Sequence, residues 1–248
     1  MWSRNRNPFT YWKNCATFRL KIWIMKSFKF IYAFIFIGVL VSRIANWQIG
    51  DWIFKPLLMI SLGFYFFSAV ILRGVRQNQF VLAVLVFSLI GDVFLIFDGY
   101  FIQGLAAFLI AHLCYIYAFL PEASRFLSKK EFYLPSIAVL VYAYFLLMQI
   151  LPNIAEPLQK VPITVYGLTI STMLLTVLHR WNNVSKNSFW LVLVGATLFV
   201  LSDSLIAVSK FVAPFPMSGI LIMATYGIGQ YLIVEGFLCD AKRSQWMM

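Results

Sequence analysis

Eight stretches of this 248-residue chain are almost unbroken runs of apolar side chains, each eighteen to twenty-two residues long. They fall near 28–46, 54–72, 80–97, 101–120, 132–151, 161–179, 188–209 and 217–236. A helix needs about 20 such residues to cross the hydrocarbon core of a bilayer. A lipid-exposed backbone must also satisfy its own polar groups, which a helix does within one segment. The runs therefore predict an all-α, polytopic membrane protein with eight transmembrane helices. Their connections are short, so neighbours in sequence should pack as neighbours in space. Only 12% of residues are charged and 62% are hydrophobic, whereas a soluble domain carries about a quarter charged. Nothing in the chain reads as a second, water-facing domain.

The cations test helix number and orientation. With the N-terminus inside, sixteen of the twenty Lys and Arg fall on the inner side, and only Arg43, Lys55, Lys160 and Lys210 fall outside. That asymmetry predicts both termini inside and an even helix count. The net charge of +11 is concentrated in the first residues, where Arg4, Arg6, Lys13, Arg19, Lys21 and Lys26 alternate with Trp2, Phe9, Tyr11, Trp12, Phe18 and Trp23. Residues 1–28 read as a basic, amphipathic cytoplasmic segment lying on anionic lipid, preceding a transmembrane domain over 29–248. Nucleic acid is not the expected partner of this charge. A cleaved signal peptide fits less well, because no small-x-small site follows the apolar run. Cys15, Cys114 and Cys239 are too scattered for a disulfide framework or a metal knuckle. Compact size and short loops point to a bacterial inner membrane rather than the endoplasmic reticulum.

The third and seventh runs carry related segments, Phe87-Ser88-Leu89-Ile90-Gly91-Asp92 and Phe199-Val200-Leu201-Ser202-Asp203. Each Asp is followed 23 residues later by a tyrosine, Tyr115 or Tyr226, and preceded by a helix with Pro56 or Pro162 in its first turn. Two readings remain open here: a 4+4 pseudo-repeat of parallel halves, or coincidence in an apolar sequence.

Nine acids are few enough to place singly. Asp51, Glu122, Glu131, Glu156 and Asp240 read as solvated in loops or tails, and Glu235 as satisfied by snorkelling or a nearby Lys. Asp92 and Asp203 lie about two-thirds along helices running outward. A charge at that depth costs at least a few kcal/mol, which makes function the default expectation, against a purely structural interhelical bond. Asp98 either lines the mouth of a cavity or caps the Asp98-Gly99-Tyr100 turn. Lys55 either binds a phosphate, pairs with an Asp, or snorkels at the interface. His112 makes either an interhelical hydrogen bond or a catalytic contact, and His179 reads as bland. Tyr166, and Tyr226 with Gln230 one turn on, are polar groups expected to face the Asp helices. Two histidines at different depths argue against a three-His zinc site, and no nucleotide-binding loop or serine elbow is present.

These residues resemble a known family. The stretch Lys55-Pro56-Leu57-Leu58-Met59, then Ser88 to Leu95, then Phe101 to Phe108 running to Ala111-His112 and Tyr115, follows the pattern of the YhhN-like lysoplasmalogenases. Gly195 to Asp203 with Leu205 and Ala207, then Tyr226 and Gln230, continue it, so that the resemblance covers roughly residues 50 to 235. It implies hydrolysis of the vinyl ether bond of lysoplasmalogens to a fatty aldehyde and glycerophosphoethanolamine or glycerophosphocholine, with no metal or other cofactor. That chemistry needs a general acid and a charge-stabilising carboxylate able to activate water, a task suited to two carboxylates of unlike environment. The expectation is that Asp92 and Asp203 form this pair, with Tyr226, Gln230, Tyr166 and His112 orienting it and Lys55 and Asp98 meeting the headgroup. The alternative from another class is a proton-coupled transporter or lipid-binding membrane protein using the same two Asp residues.

Overall fold

The computed structural model describes residues 27–73, 79–123 and 133–246, without the side chains at 72, 73, 122 and 240–246. Residues 1–26 of the expected basic segment, and the side chains of most inner-side cations, lie outside the described residues. The described residues form eight α-helices: α1 (Ser27–Ile44), α2 (Gln48–Arg73), α3 (Gln79–Phe94), α4 (Phe101–Phe119), α5 (Tyr133–Ile150), α6 (Pro157–Leu178), α7 (Lys186–Ala207) and α8 (Ser218–Trp246). Seven are long and apolar enough to cross a membrane; α3, with 16 residues, is shorter.

Several boundaries differ from expectation for identifiable reasons. Helix α2 starts at Gln48, six residues before the apolar run, because its first turn carries Asp51, and Asp51 pairs with Arg43 of α1 (Nε–Oδ1 3.1 Å). Asp51 is thus bound to a neighbouring helix rather than solvated in a loop. Pro56 consequently lies inside α2, and Pro162 inside α6, where Pro157 takes the first position. Helix α3 stops at Phe94 and winds down through tighter three-residue bonds, Ile96 to Val93 and Phe97 to Phe94. Lys29 lies in the first turn of α1. Its ammonium lies 2.6 Å from Glu235 of α8, which also accepts from the hydroxyls of Tyr65 and Tyr231.

The tightest packing is within the α7–α8 and α3–α4 hairpins. In lipid there is no hydrophobic gain from helix association, so close backbone approach at small residues takes its place. A Cβ on Gly195 of α7 would lie 2.7 Å from the Gly229 carbonyl of α8, and one on Gly229 would lie 2.8 Å from the Gly195 carbonyl. Backbone cannot swing aside as a side chain can. Gly195→Val is therefore expected to lower the thermal unfolding midpoint in detergent, at a cost of at least about 1–3 kcal/mol. Gly63→Ala, at a helical position with nothing within 4 Å, is expected to be neutral or to stabilise by about 0.5–1 kcal/mol. Equal behaviour of the two variants would refute this account. Helix α5 is peripheral, burying only Ala143 and Ile150. The core lies among α1, α2, α3, α4, α6, α7 and α8.

Candidate active site

Of the two expected carboxylates Asp92 is buried and Asp203 nearly so, its side chain 8% exposed, and each is held by a different set of partners. Asp92 sits in the last turn of α3 and is 1% exposed. Its Oδ2 accepts from the Tyr226 hydroxyl of α8 at 2.7 Å, and its Oδ1 lies 3.4 Å from Nζ of Lys55 on α2. The same ammonium donates to the Asp92 backbone carbonyl at 3.4 Å. That carbonyl is one of the last four of its helix, which lack an intrahelical donor. Lys55 is itself buried, so of the three readings open to it the pairing with an Asp is realised.

Asp203 lies in the last third of α7. Its Oδ2 accepts from the Tyr166 hydroxyl of α6 and lies 3.6 Å from Nε2 of His112 on α4. His112 is fully buried, and its Nδ1 sits 2.7 Å from the Phe108 carbonyl. A carbonyl can only accept, so Nδ1 carries the proton, and in the neutral ring Nε2 is the bare nitrogen facing Asp203. Each Asp thus takes one partner from the helix before its own, Lys55 or Tyr166. The other comes from the last helix of the opposite half of the chain, Tyr226 or His112.

Between the two carboxylates stands a cluster of rings. Phe199 packs on His112 (centroids 4.8 Å), Tyr226 (5.5 Å) and Phe108 (6.4 Å), and Phe108 meets Tyr226 edge-on at 6.0 Å. Tyr226 and Gln230 share a face as expected, but Gln230 reaches neither Asp. It accepts from Tyr115 and donates to Ser88 at 3.1 Å, forming a second buried network one turn deeper. Tyr115, the tyrosine 23 residues after Asp92, therefore bonds Gln230 rather than an Asp.

The cavities divide by chemistry. A vestibule of about 280 Å³ gathers Arg43, Lys55, Asp98 and Lys210 with Ser209 and apolar neighbours. It collects the end of α1, the start of α2, the turn between α3 and α4, and the segments joining α7 to α8. Asp98 lines this mouth, and the N-cap of α4, Tyr100, makes no side-chain cap bond. Leu95, Phe101 and Ile206 form a wall shared with a smaller apolar cavity that Asp203 and Tyr166 also line. A third, also apolar, lies among α5, α6 and α7 and again reaches Asp203. Asp92 lines none of these three; it is closed off behind Lys55 and Tyr226.

Sequence reasoning counted Arg43 and Lys210 only as outer charges. Lys210 carried a readable signal, since it stands seven residues, two helical turns, beyond Asp203; Arg43 carried none. Arg180, beside His179, is fully buried, with its guanidinium over Phe119 (5.0 Å) and Phe237 (5.6 Å). No group of three or more His, Cys, Asp or Glu able to hold a metal occurs among the described residues.

Comparison with known proteins follows the same residues. The model of the YhhN family matches residues 50–237. A protein named lysoplasmalogenase from Mycobacterium tuberculosis (strain CDC 1551 / Oshkosh) is 28% identical over 192 residues, 76% of this chain and 72% of that protein. Lysoplasmalogenase TMEM86A of Homo sapiens is 33% identical over 156 residues, covering 60% of this chain and 61% of the relative. Lysoplasmalogenase TMEM86B of Rattus norvegicus is 33% identical over 146 residues, covering 59% and 56%. The matched segment thus spans less than two thirds of these mammalian relatives. No solved structure matches the chain significantly.

Proposed function

This chain belongs to the YhhN family, and from that premise we propose that it is an integral-membrane lysoplasmalogenase in which Asp203 delivers the proton that opens the vinyl ether. One observation carries the assignment. Asp203 is the carboxyl that opens onto apolar space beside a cation-lined vestibule, while Asp92 is sealed. A lysoplasmalogen has the same division, a charged headgroup joined through the ether to a hydrocarbon chain.

The groups around each carboxyl separate their roles. Asp92 has the Lys55 ammonium against it and serves as the fixed negative charge. Asp203 faces a tyrosine hydroxyl and a bare imidazole nitrogen, partners that hold a carboxyl proton without replacing it with a cation. The Asp203 proton goes to the vinyl carbon remote from oxygen, and the π electrons form the new C–H bond. The cation left on the carbon bonded to oxygen is stabilised by the two nearby carboxylates. Water adds to that carbon and returns its proton to Asp203. The hemiacetal then breaks its bond to the glycerol oxygen, which takes the hydroxyl proton, giving aldehyde and alcohol. Addition of one water balances the reaction, with no redox step. Tyr166 and His112 orient Asp203, and Tyr226 orients Asp92, whereas Gln230 acts from the deeper network through Ser88 and Tyr115.

The charge asymmetry supports placing both termini inside, so that the vestibule faces outward. The cross-pairing of each Asp with the opposite half supports reading α1–α4 and α5–α8 as parallel repeats.

The test uses purified protein in an uncharged detergent, a 1-alkenyl lysophospholipid and its saturated 1-alkyl analogue. Aldehyde is expected from the first and none from the second, which has no double bond to protonate. Flux of the alkenyl lipid across liposomes without aldehyde would reject the hydrolase reading in favour of a carrier.

A further inference from the structure

The vestibule wall holds four ionisable side chains, and two of them are already matched. Arg43 meets Asp51 at 3.1 Å, and Lys55 meets Asp92 at 3.4 Å. Lys210 and Asp98 enter no ion pair among the described residues, and both are exposed at the rim. Lys210 is carried there by the π-helical turn Val208–Val212 that ends α7, a rare geometry that is frequent at functional sites. Its Nζ stands 5.5 Å from the centre of the Phe101 ring, which lies on the wall shared with the apolar cavity. Asp98 lies in the turn after α3, next to Gly99, whose φ of +88° a residue with a Cβ adopts only under strain. One unmatched cation and one unmatched anion therefore face a cavity of about 280 Å³.

We propose that the vestibule is a subsite for a zwitterionic phosphodiester headgroup, with Lys210 taking the phosphate and Asp98 the ammonium. The inference rests on the lysoplasmalogenase reading and deepens it. Arg43 and Lys55 stand deeper, and their field adds to the attraction for phosphate, though each is partly offset by its own carboxylate. A primary ammonium offers N–H groups for charge-assisted bonds to Asp98. A choline nitrogen has none and meets the same carboxylate by charge alone. The substrate is thereby ordered, with headgroup in the vestibule, ether at the wall of Leu95, Phe101 and Ile206, and the first carbons of the chain entering the cavity beside Asp203. Arg43 lies outside residues 50–237, so α1 adds a charge from beyond the family-matched segment.

Three 1-alkenyl lipids of equal chain length separate the terms: the glycerophosphoethanolamine, the glycerol phosphate monoester without ammonium, and the uncharged glycerol. Aldehyde release by the full chain in uncharged detergent is the readout. Asp98→Asn is expected to lower the ratio of kcat/KM for phosphoethanolamine over monoester about tenfold, through KM, as for a charged hydrogen bond discounted for exposure. Asp98→Lys should reverse that preference toward the monoester. Lys210→Gln should lower both phosphate-bearing substrates about tenfold relative to the uncharged one. The subsite is overturned if the unaltered protein cleaves all three with equal kcat/KM. It is also overturned if the variants lower all three alike, as a folding defect or a disturbed Asp203 would. Aldehyde from none of the three with the unaltered protein would instead overturn the hydrolase reading beneath it.

Discussion

Asp203→Asn is expected to reduce aldehyde release about a thousandfold, within the 10²–10⁴ that a positioned acid or base contributes. The amide keeps the shape of the carboxyl, and its oxygen still accepts from Tyr166. What it lacks is a transferable proton. Thermal unfolding in detergent should therefore stay within about 1 kcal/mol of the unaltered protein, the range of a single neutral hydrogen bond. Tyr166→Phe gives a second reading of the same site. It removes the hydroxyl that fixes Oδ2 but leaves the acid in place, so a loss of about tenfold is expected, the worth of one hydrogen bond of about 1.4 kcal/mol. Turnover by Asp203→Asn near that of the unaltered protein would dismiss Asp203 as the proton donor. A loss confined to KM would also dismiss it, since proton delivery acts on the chemical step.

Much of this site could be read before any coordinates, and the reason is the solvent. In a chain of 62% hydrophobic residues, an Asp in the middle of an apolar run has few explanations, and its cost singles it out. Asp92 and Asp203 stand out on that ground, and Tyr166, Tyr226 and His112 as polar groups on helices expected to meet theirs; the last three each lie against one of the two carboxyls. The pairings were not legible. Helices α3 and α4 are apolar nearly all round, so no amphipathic period reports which face turns inward. Rotation is set instead by close approaches such as Gly91 of α3 against Phe108 of α4, which are properties of two helices at once. Tyr115 illustrates the consequence, since it shares with Tyr226 the spacing of 23 residues after an Asp, yet Tyr226 bonds Asp92 while Tyr115 bonds Gln230. Helix ends misled for a related reason. Gln48, Asp51 and Lys29 look like loop or surface residues to a hydropathy argument, yet each lies within a helix, and the two charged ones pair with an oppositely charged residue of another helix. The vestibule was the least legible feature, because it joins charges from helix ends far apart in the chain, Arg43 and Lys210 among them.

The Lys55–Asp92 pair yields the largest expected change in stability, and also a way to separate stability from function. Both partners are buried, with side chains 7% and 2% exposed. Lys55→Met keeps the length and apolar bulk of the stem but leaves the Asp92 carboxylate facing only the Tyr226 hydroxyl. Breaking a buried ion pair by removing one partner costs about 3–5 kcal/mol, because the remaining charge is uncompensated. The double variant Lys55→Met with Asp92→Asn removes both charges, keeps the acceptor for Tyr226, and is expected to recover most of that loss. Exchanging a whole buried pair for neutral groups is often neutral or stabilising. Activity should not follow. If the Asp92 charge steadies the cation formed after proton transfer, the double variant melts near the unaltered protein yet stays at least about tenfold slower in kcat, a difference of about 1.4 kcal/mol in the barrier. Equal stability of the Lys55→Met single variant would show that the pair is not an uncompensated burial problem at all. Full turnover by the stable double variant would reduce Asp92 to a scaffold and leave Asp203 to work with its tyrosine and histidine alone.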